Sequence, residues 1–167
     1  LDEAKGVEWE FLADDGEELS GVQILGYDAL LVLAPRITER TLQETNRLQI
    51  IARFGVGYDN IDVEACTRDG VLLTITPDGV RRPVAAGAIT LLLALTSKLI
   101  TKDRLTRYGR WGERADYMGE GVTGKTLGVV GLGNIGREVL RLAAPLGMRH
   151  LAYDPHLDSS LTSGLNV

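Results

Sequence analysis

The six residues GLGNIG, positions 131–136, have the form G-x-G-x-x-G and follow directly on the apolar run TLGVV, 126–130. Glycine is common and this spacing alone is loose, so the flanks decide what it means. Upstream, TLGVV is apolar and strand-like. Downstream, NIGREVLRLAAPLG, 134–147, sets Ile135, Val139 and Leu142 at helical spacing and ends on a glycine. RHLAYD, 149–154, is a second strand closed by Asp154, which stands 18 positions after Gly136. Strand, glycine turn, helix, strand and terminal acid in this order predict the opening β-α-β unit of a dinucleotide-binding Rossmann domain.

Each residue type has a physical reason to be where it is. Gly131 permits the tight turn out of the strand, Gly133 lets a pyrophosphate approach the backbone, and Gly136 lets helix and strand pack closely. The N–H groups of Asn134 and Ile135 fall at the helix N-terminus, where the macrodipole favours an anion. Asp154 is placed to accept hydrogen bonds from the 2′- and 3′-hydroxyls of a ribose. Its charge opposes a 2′-phosphate, so NAD is expected over NADP. Arg149 and His150 precede the acid, and His156 is the nearest residue working against that preference. The competing reading is a glycine-rich turn in another α/β fold, with Asp154 as a strand-end cap.

Before this unit, short apolar runs alternate with amphipathic ones. Strands are expected at VEWEFL (7–12), ALLVLA (29–34), LQIIARF (48–54) and VLLTIT (71–76). ALLVLA is apolar throughout, as a strand covered on both faces would be. A weak helix is expected at GEELSGVQI (16–24), a helix with an N-cap threonine at TERTLQET (38–45), and a helix stopped by Gly70 at NIDVEACTRDG (60–70). A turn is expected at PDG (77–79). A long helical stretch runs from about Arg82 to Thr106, apolar nearly all round at first and so expected to be buried between layers or domains. WGERADYMGEGVTG (111–124) has no clear period and reads as a linker or exposed arm. The fold class is α/β with a parallel sheet.

Charge and composition narrow the partners. The net charge of −5 disfavours nucleic acid. The most apolar run, residues 83–95, is shorter than the ~20 residues that span a bilayer, so no membrane is expected. Cys66 is the single cysteine, which excludes an intrachain disulfide and fits a reducing, cytoplasmic setting. It has no local histidine partner and reads as a packed thiol.

ARFGVGYDNIDVEACTRDGVLLTITPDG followed by GKTLGVVGLGNIGREVLRLAAPLGMRHLAYDP resembles the D-isomer-specific 2-hydroxyacid dehydrogenases, over nearly the whole chain from about Val7 to Pro155. The resemblance implies a flavodoxin-like parallel-sheet substrate domain followed by the start of a Rossmann NAD-binding domain. Residues 1–80 would form the substrate domain, lacking its first strand, and 81–110 the crossing helix and the helix after it. Residues 111–124 would be the arm and 125–167 the incomplete beginning of the NAD domain. It implies hydride transfer between NAD(H) and a small anionic 2-hydroxy or 2-keto acid, and a homodimer. The backbone of Val56 and Gly57, in the GVG turn, would lie against the substrate carboxylate or the nicotinamide end; a plain strand-to-loop turn is the alternative.

The chain departs from the family pattern in places. Some relatives carry an anion-gripping arginine just after the ALLV strand; here Leu33, Ala34 and Pro35 stand there and Arg36 is displaced. Val80, Arg81 and Ala86 stand near the positions where relatives often carry asparagine, serine and glutamate, which weakens 3-phosphoglycerate as the substrate. Arg81 and Arg82 offer an alternative anion site at the cleft, against a reading as a solvated pair at a helix start. The family's catalytic arginine, glutamate and histidine are expected beyond Val167, so none is assigned here and this chain alone is expected to be inactive. His150 and His156 read as ordinary surface or strand-end histidines. Both ends look cut, with Leu1 in place of a methionine and a polar LDSSLTSGLNV at the close, which suggests part of a larger protein. A non-catalytic, dimerising NAD-binding module of the co-repressor type is the alternative function, and a genuine short protein with a binding role a third.

Overall fold

A computed structural model describes residues 5–12 and 16–156; the closing LDSSLTSGLNV lies outside them. The chain divides into two compact units, Leu1–Pro77 and Asp78–Val167. Both are α/β with parallel strand pairing, as the alternation of strand and helix signals requires.

In the first unit β1 (Ala29–Val32), β2 (Ile50–Arg53) and β3 (Leu72–Thr74) form a parallel sheet in that order. Leu30 stands opposite Ile51, and Ile51 opposite Leu73. Parallel neighbours need crossovers, and α1 (Glu39–Gln43) and α2 (Val63–Arg68) lie in them. Helices this short are marginal alone, and both are capped. The Thr38 N–H donates to Thr41 Oγ1 at 3.1 Å. Asp62 Oδ1 accepts the Ala65 N–H at 2.9 Å, a cap that contributes about 1 kcal/mol. Ile24, Ile37, Ile51 and Leu42 centre the core, with Ala65 and Cys66 of α2 against them. Burial, then the nearby Asp62 and Asp69 carboxylates, push the Cys66 thiol up. A protonated buried thiol is inert, consistent with a packing role.

Two expectations fail in this unit. VEWEFL forms no strand. Trp9 and Phe11, which alternation would put on one face of a sheet, instead pair edge to face with centroids 5.3 Å apart, and Phe11 is 86% exposed. No described strand lends that segment a ladder, and Leu12 alone of it packs on the core. GEELSGVQI yields a single 3-10 turn, Gly21–Ile24, because Glu18 bridges to Arg36 as extended chain. Gly21 is then pressed on α1, where an added Cβ would fall 2.6 Å from the Thr41 carbonyl oxygen.

The second unit takes up α3 (Pro77–Thr96) and α4 (Leu99–Arg107), then a 3-10 segment, Trp111–Tyr117. β4 (Thr126–Val130), α5 (Asn134–Ala143) and β5 (Arg149–Tyr153) follow. The long helical stretch differs from expectation in three ways. It starts at Pro77 rather than Arg82, since a proline with preset φ suits the first helical turn and Asp78 there favours the dipole. The tripeptide PDG therefore opens a helix instead of making a turn. It breaks at Lys98, whose φ of 54° is left-handed. It is not buried among the described residues: Ala85 is the buried residue of α3, while Leu91 and Leu95 are 72% and 77% exposed. With its first turn included, α3 reaches 20 residues and is apolar enough by length and composition to cross a membrane, a measure that core helices of soluble proteins also meet.

Residues 111–124 are exposed or half-exposed. They are not wholly free, because the Glu120 N–H donates to the Thr96 carbonyl at 2.8 Å. β4 and β5 pair in parallel, with Leu127 opposite His150 and Val129 opposite Ala152. These four side chains are half-buried, while Val130, Leu151 and Tyr153 on the alternate face are exposed. His150 is the second residue of β5, half-buried, and its Nε2 has no hydrogen-bond partner among the described residues.

Candidate functional site

β4 delivers the chain into the turn at Gly131, whose φ of +89° is a conformation that side-chain-bearing residues rarely adopt. The Gly131 N–H donates to the Tyr153 carbonyl at 2.8 Å, so the turn starts from the last rung of the β4–β5 ladder. Leu132 is 2% exposed and anchors the turn from inside. Gly133 is the N-cap of α5, and an added Cβ there would meet nothing within 4 Å. At Gly136 the opposite holds. An added Cβ would overlap the Gly131 carbonyl oxygen and lie 3.2 Å from Val129 Cγ1. The three glycines therefore serve three different needs, namely a left-handed turn, an open approach and a close crossing.

No side chain caps α5. The N–H groups of Asn134 and Ile135, in its first turn, find no acceptor among the described residues. α1 and α2, by contrast, carry caps. An uncapped helix mouth under a side-chain-free glycine suits an anionic group. Asp154, directly after β5, reaches back to the same turn: Oδ2 accepts the Leu132 N–H at 2.7 Å and Oδ1 the His156 N–H at 2.9 Å. The turn, the helix mouth and the acid are thus one constellation.

The His156 N–H, then the Leu132 N–H, hold the Asp154 carboxyl below its ordinary value of 3.8. A folded value below the unfolded one means that the stabilisation is complete above that ordinary value and is lost as pH falls through the depressed one. We expect the Leu132 and His156 amide resonances to move together on acidification, with a midpoint below 3.8. A midpoint at or above it would show that these bonds are not made to the ionised carboxylate.

The residues expected at a substrate site lie apart in sequence, and each is described in its own unit. The turn after β2 starts at Gly55, with φ +130°. Its N–H donates to Thr76 Oγ1 at 2.8 Å, and its carbonyl accepts the Thr76 N–H at 2.8 Å. The N–H groups of Val56 and Gly57 have no acceptor among the described residues. Arg81 pairs with Asp78 at 3.3 Å, one helical turn back. Arg82 is engaged too: it donates to Glu138 Oε1 at 2.9 Å. Glu138 is 7% exposed in the middle of α5, with Arg141 at 3.7 Å on its other oxygen. The Arg82 side chain is 72% exposed all the same, and both arginines have carboxylates already in place. A cleft of about 150 Å³ on the loops after β1 and β2 is lined by Arg36, Thr38, Asp59 and Asn60 among others. It is smaller than the few hundred Å³ usual for an organic cofactor.

One residue of the helix mouth has no counterpart in the sequence reading. Arg137 lies one turn into α5 and donates to Asn134 Oδ1 at 2.6 Å. Its spacing from Asn134, three residues along a helix, is the signal that was there to find.

A family model described as "D-isomer specific 2-hydroxyacid dehydrogenase, NAD binding domain" matches residues 89–165. A glyoxylate reductase of Thermococcus kodakarensis is 45% identical over 133 residues, covering 75% of this chain and 40% of that protein. A D-3-phosphoglycerate dehydrogenase of Synechocystis is 41% identical over 132 residues, covering 78% of this chain and 24% of that protein. Among solved structures, a D-lactate dehydrogenase from Aquifex aeolicus complexed with NAD and lactic acid superposes with a TM-score of 0.76 at 25% identity, over 89% of this chain and 45% of that one. The chain spans less than half the length of each of these proteins.

Proposed function

Since the chain belongs to the D-isomer-specific 2-hydroxyacid dehydrogenase family, we propose that it binds NAD at the turn between β4 and α5 and serves an oxidoreductase acting on a small 2-hydroxy acid. One observation carries the reading: the α5 mouth is uncapped and open above Gly133, with Asp154 tied to the same turn. The Asn134 and Ile135 N–H groups would hold the pyrophosphate, and the free lone pairs of Asp154 would accept the ribose hydroxyls. When bound, NAD supplies the hydride acceptor, or as NADH the donor. The chain's own groups bind and orient. The Val56 and Gly57 N–H groups, without an acceptor among the described residues, suit a substrate carboxylate. Arg81, already paired with Asp78, would hold an anion of its own only by releasing that carboxylate. The reading extends to a cytoplasmic homodimer.

The relatives include a glyoxylate reductase, a D-3-phosphoglycerate dehydrogenase and a D-lactate dehydrogenase, which supports a short 2-keto or 2-hydroxy acid. Proton transfer in this chemistry suits an imidazole near neutral pH. Neither histidine of the chain fits that role, because His150 lies within β5 and His156 just after Asp154. In this reading the chain contributes the cofactor and carboxylate sites, and the proton-transfer group lies elsewhere in the working protein.

Calorimetric titration is expected to give one NAD per chain, bound more tightly than NADP. No binding of NAD would overturn the proposal. The working protein should oxidise NADH with at least one of pyruvate, hydroxypyruvate, glyoxylate and 2-oxoglutarate. NAD binding with no turnover on this panel would replace the enzyme by a regulatory NAD-binding module.

A further inference from the structure

We propose that Arg137 is a positioning residue for the dinucleotide pyrophosphate, acting by fixing the side-chain amide of Asn134 with its NH2 group free at the α5 mouth. The inference rests on the proposed NAD site and goes beyond it by adding a side-chain donor and the residue that sets it.

An arginine guanidinium has donors only, so the atom of Asn134 that meets it at 2.6 Å is the amide oxygen. That fixes which way round the amide stands, a choice an isolated asparagine leaves open. The nitrogen, with two donor hydrogens, has no partner among the described residues, and Asn134 is exposed. It sits in the first turn of a helix whose adjacent backbone N–H groups are also unpartnered. If the amide turned over, its oxygen would confront the anion and repel it.

Arg137 is built for this task in two further respects. It is half-buried, and its Nε also reaches the Gly133 carbonyl at 3.3 Å, so the guanidinium is held at both ends against the first turn. It has no ion pair among the described residues, whereas the next residue, Glu138, gathers Arg82 and Arg141. An arginine neutralised by a carboxylate would add nothing to an anion's surroundings. This one leaves a net positive charge one helical turn from the pyrophosphate. Its partnership with a neutral amide transmits that charge as polarisation of the Asn134 NH2 donors.

The test uses the chain with R137M, N134A and the double variant, titrated with NAD and separately with adenosine, which has the ribose but no phosphate. R137M is expected to bind NAD about tenfold more weakly, the scale of one charge-assisted donor, with adenosine affinity unchanged. In the N134A background, R137M should cost clearly less than tenfold, because the route through Asn134 is gone and only the longer-range charge of Arg137 remains to be lost. R137K should recover part of the loss. An R137M protein that binds NAD as tightly as the unmodified chain overturns the proposal. So does an equal loss for adenosine, which would indicate damage to the whole turn, and so does a full loss in the N134A background. Absence of NAD binding by the unmodified chain is a separate result, and it sinks the NAD site itself.

Discussion

Replacing Gly136 by alanine is expected to destabilise the β4–α5 crossing by about 3 kcal/mol, at the upper end for overpacking, and to remove detectable NAD binding. The added methyl would run into the Gly131 carbonyl oxygen, a backbone atom. A flexible side-chain end could swing aside, but this oxygen cannot move without moving the turn. Gly131 is left-handed and bonded to the end of β5, so the turn has little room to give. The helix must therefore tilt away from β4, carrying the Asn134 and Ile135 N–H groups with it. Hydrogen exchange of the β4 and α5 amides, with calorimetry for NAD, checks both halves. Gly133→Ala is the paired control. Its methyl would meet open space, so it should leave the apo protein close to its original stability while obstructing the cofactor. Equal destabilisation by the two changes would contradict the roles assigned to them.

Asp154→Ala is expected to weaken NAD binding by about 10- to 100-fold, the range for losing charged hydrogen-bond acceptors, and to narrow the preference over NADP. The change would remove the proposed ribose acceptors and, at the same stroke, the acceptor of the Leu132 N–H. Asp154→Asn separates the two effects. An amide oxygen still accepts one bond and can keep the turn, but the charge that opposes a 2′-phosphate is gone. The asparagine variant should therefore lose discrimination more than affinity. Titrations with NAD and NADP on both variants read this directly, and unchanged NAD affinity in Asp154→Ala would take the residue off the ribose.

The β4–α5–β5 unit was legible because its signals are local and redundant. Glycine spacing, an apolar strand, helical period and a closing acid all fall within 29 consecutive residues, from Thr126 to Asp154. What escaped depends on partners distant in sequence or on residues with two uses. VEWEFL has strand composition, yet a strand needs a neighbour and none is described beside it. Pro77-Asp78-Gly79 suits a turn and a helix start equally, and the apolar residues behind it tip the choice to helix. Lys98 carries no sign in its residue type that it would adopt a left-handed conformation. The Arg82–Glu138 pair spans 56 positions, beyond the reach of any local pattern. Arg137 stands at an ordinary helical distance from Asn134, but the glycine pattern itself assigns nothing to the residue after its last glycine.

The bond between Asp154 and the Leu132 N–H has an evolutionary consequence. A lineage moving from NAD to NADP must relieve the charge near the ribose, and the shortest route is to substitute the acid. Here a substitution that leaves no acceptor also strips the phosphate turn of its tether, so such a first step would lower affinity for both coenzymes. Asparagine escapes that penalty, because its amide oxygen can keep the Leu132 N–H while the charge is gone. Among single mutations of the acid, the route toward the phosphorylated coenzyme is therefore narrow, and it runs through side chains that still accept a hydrogen bond.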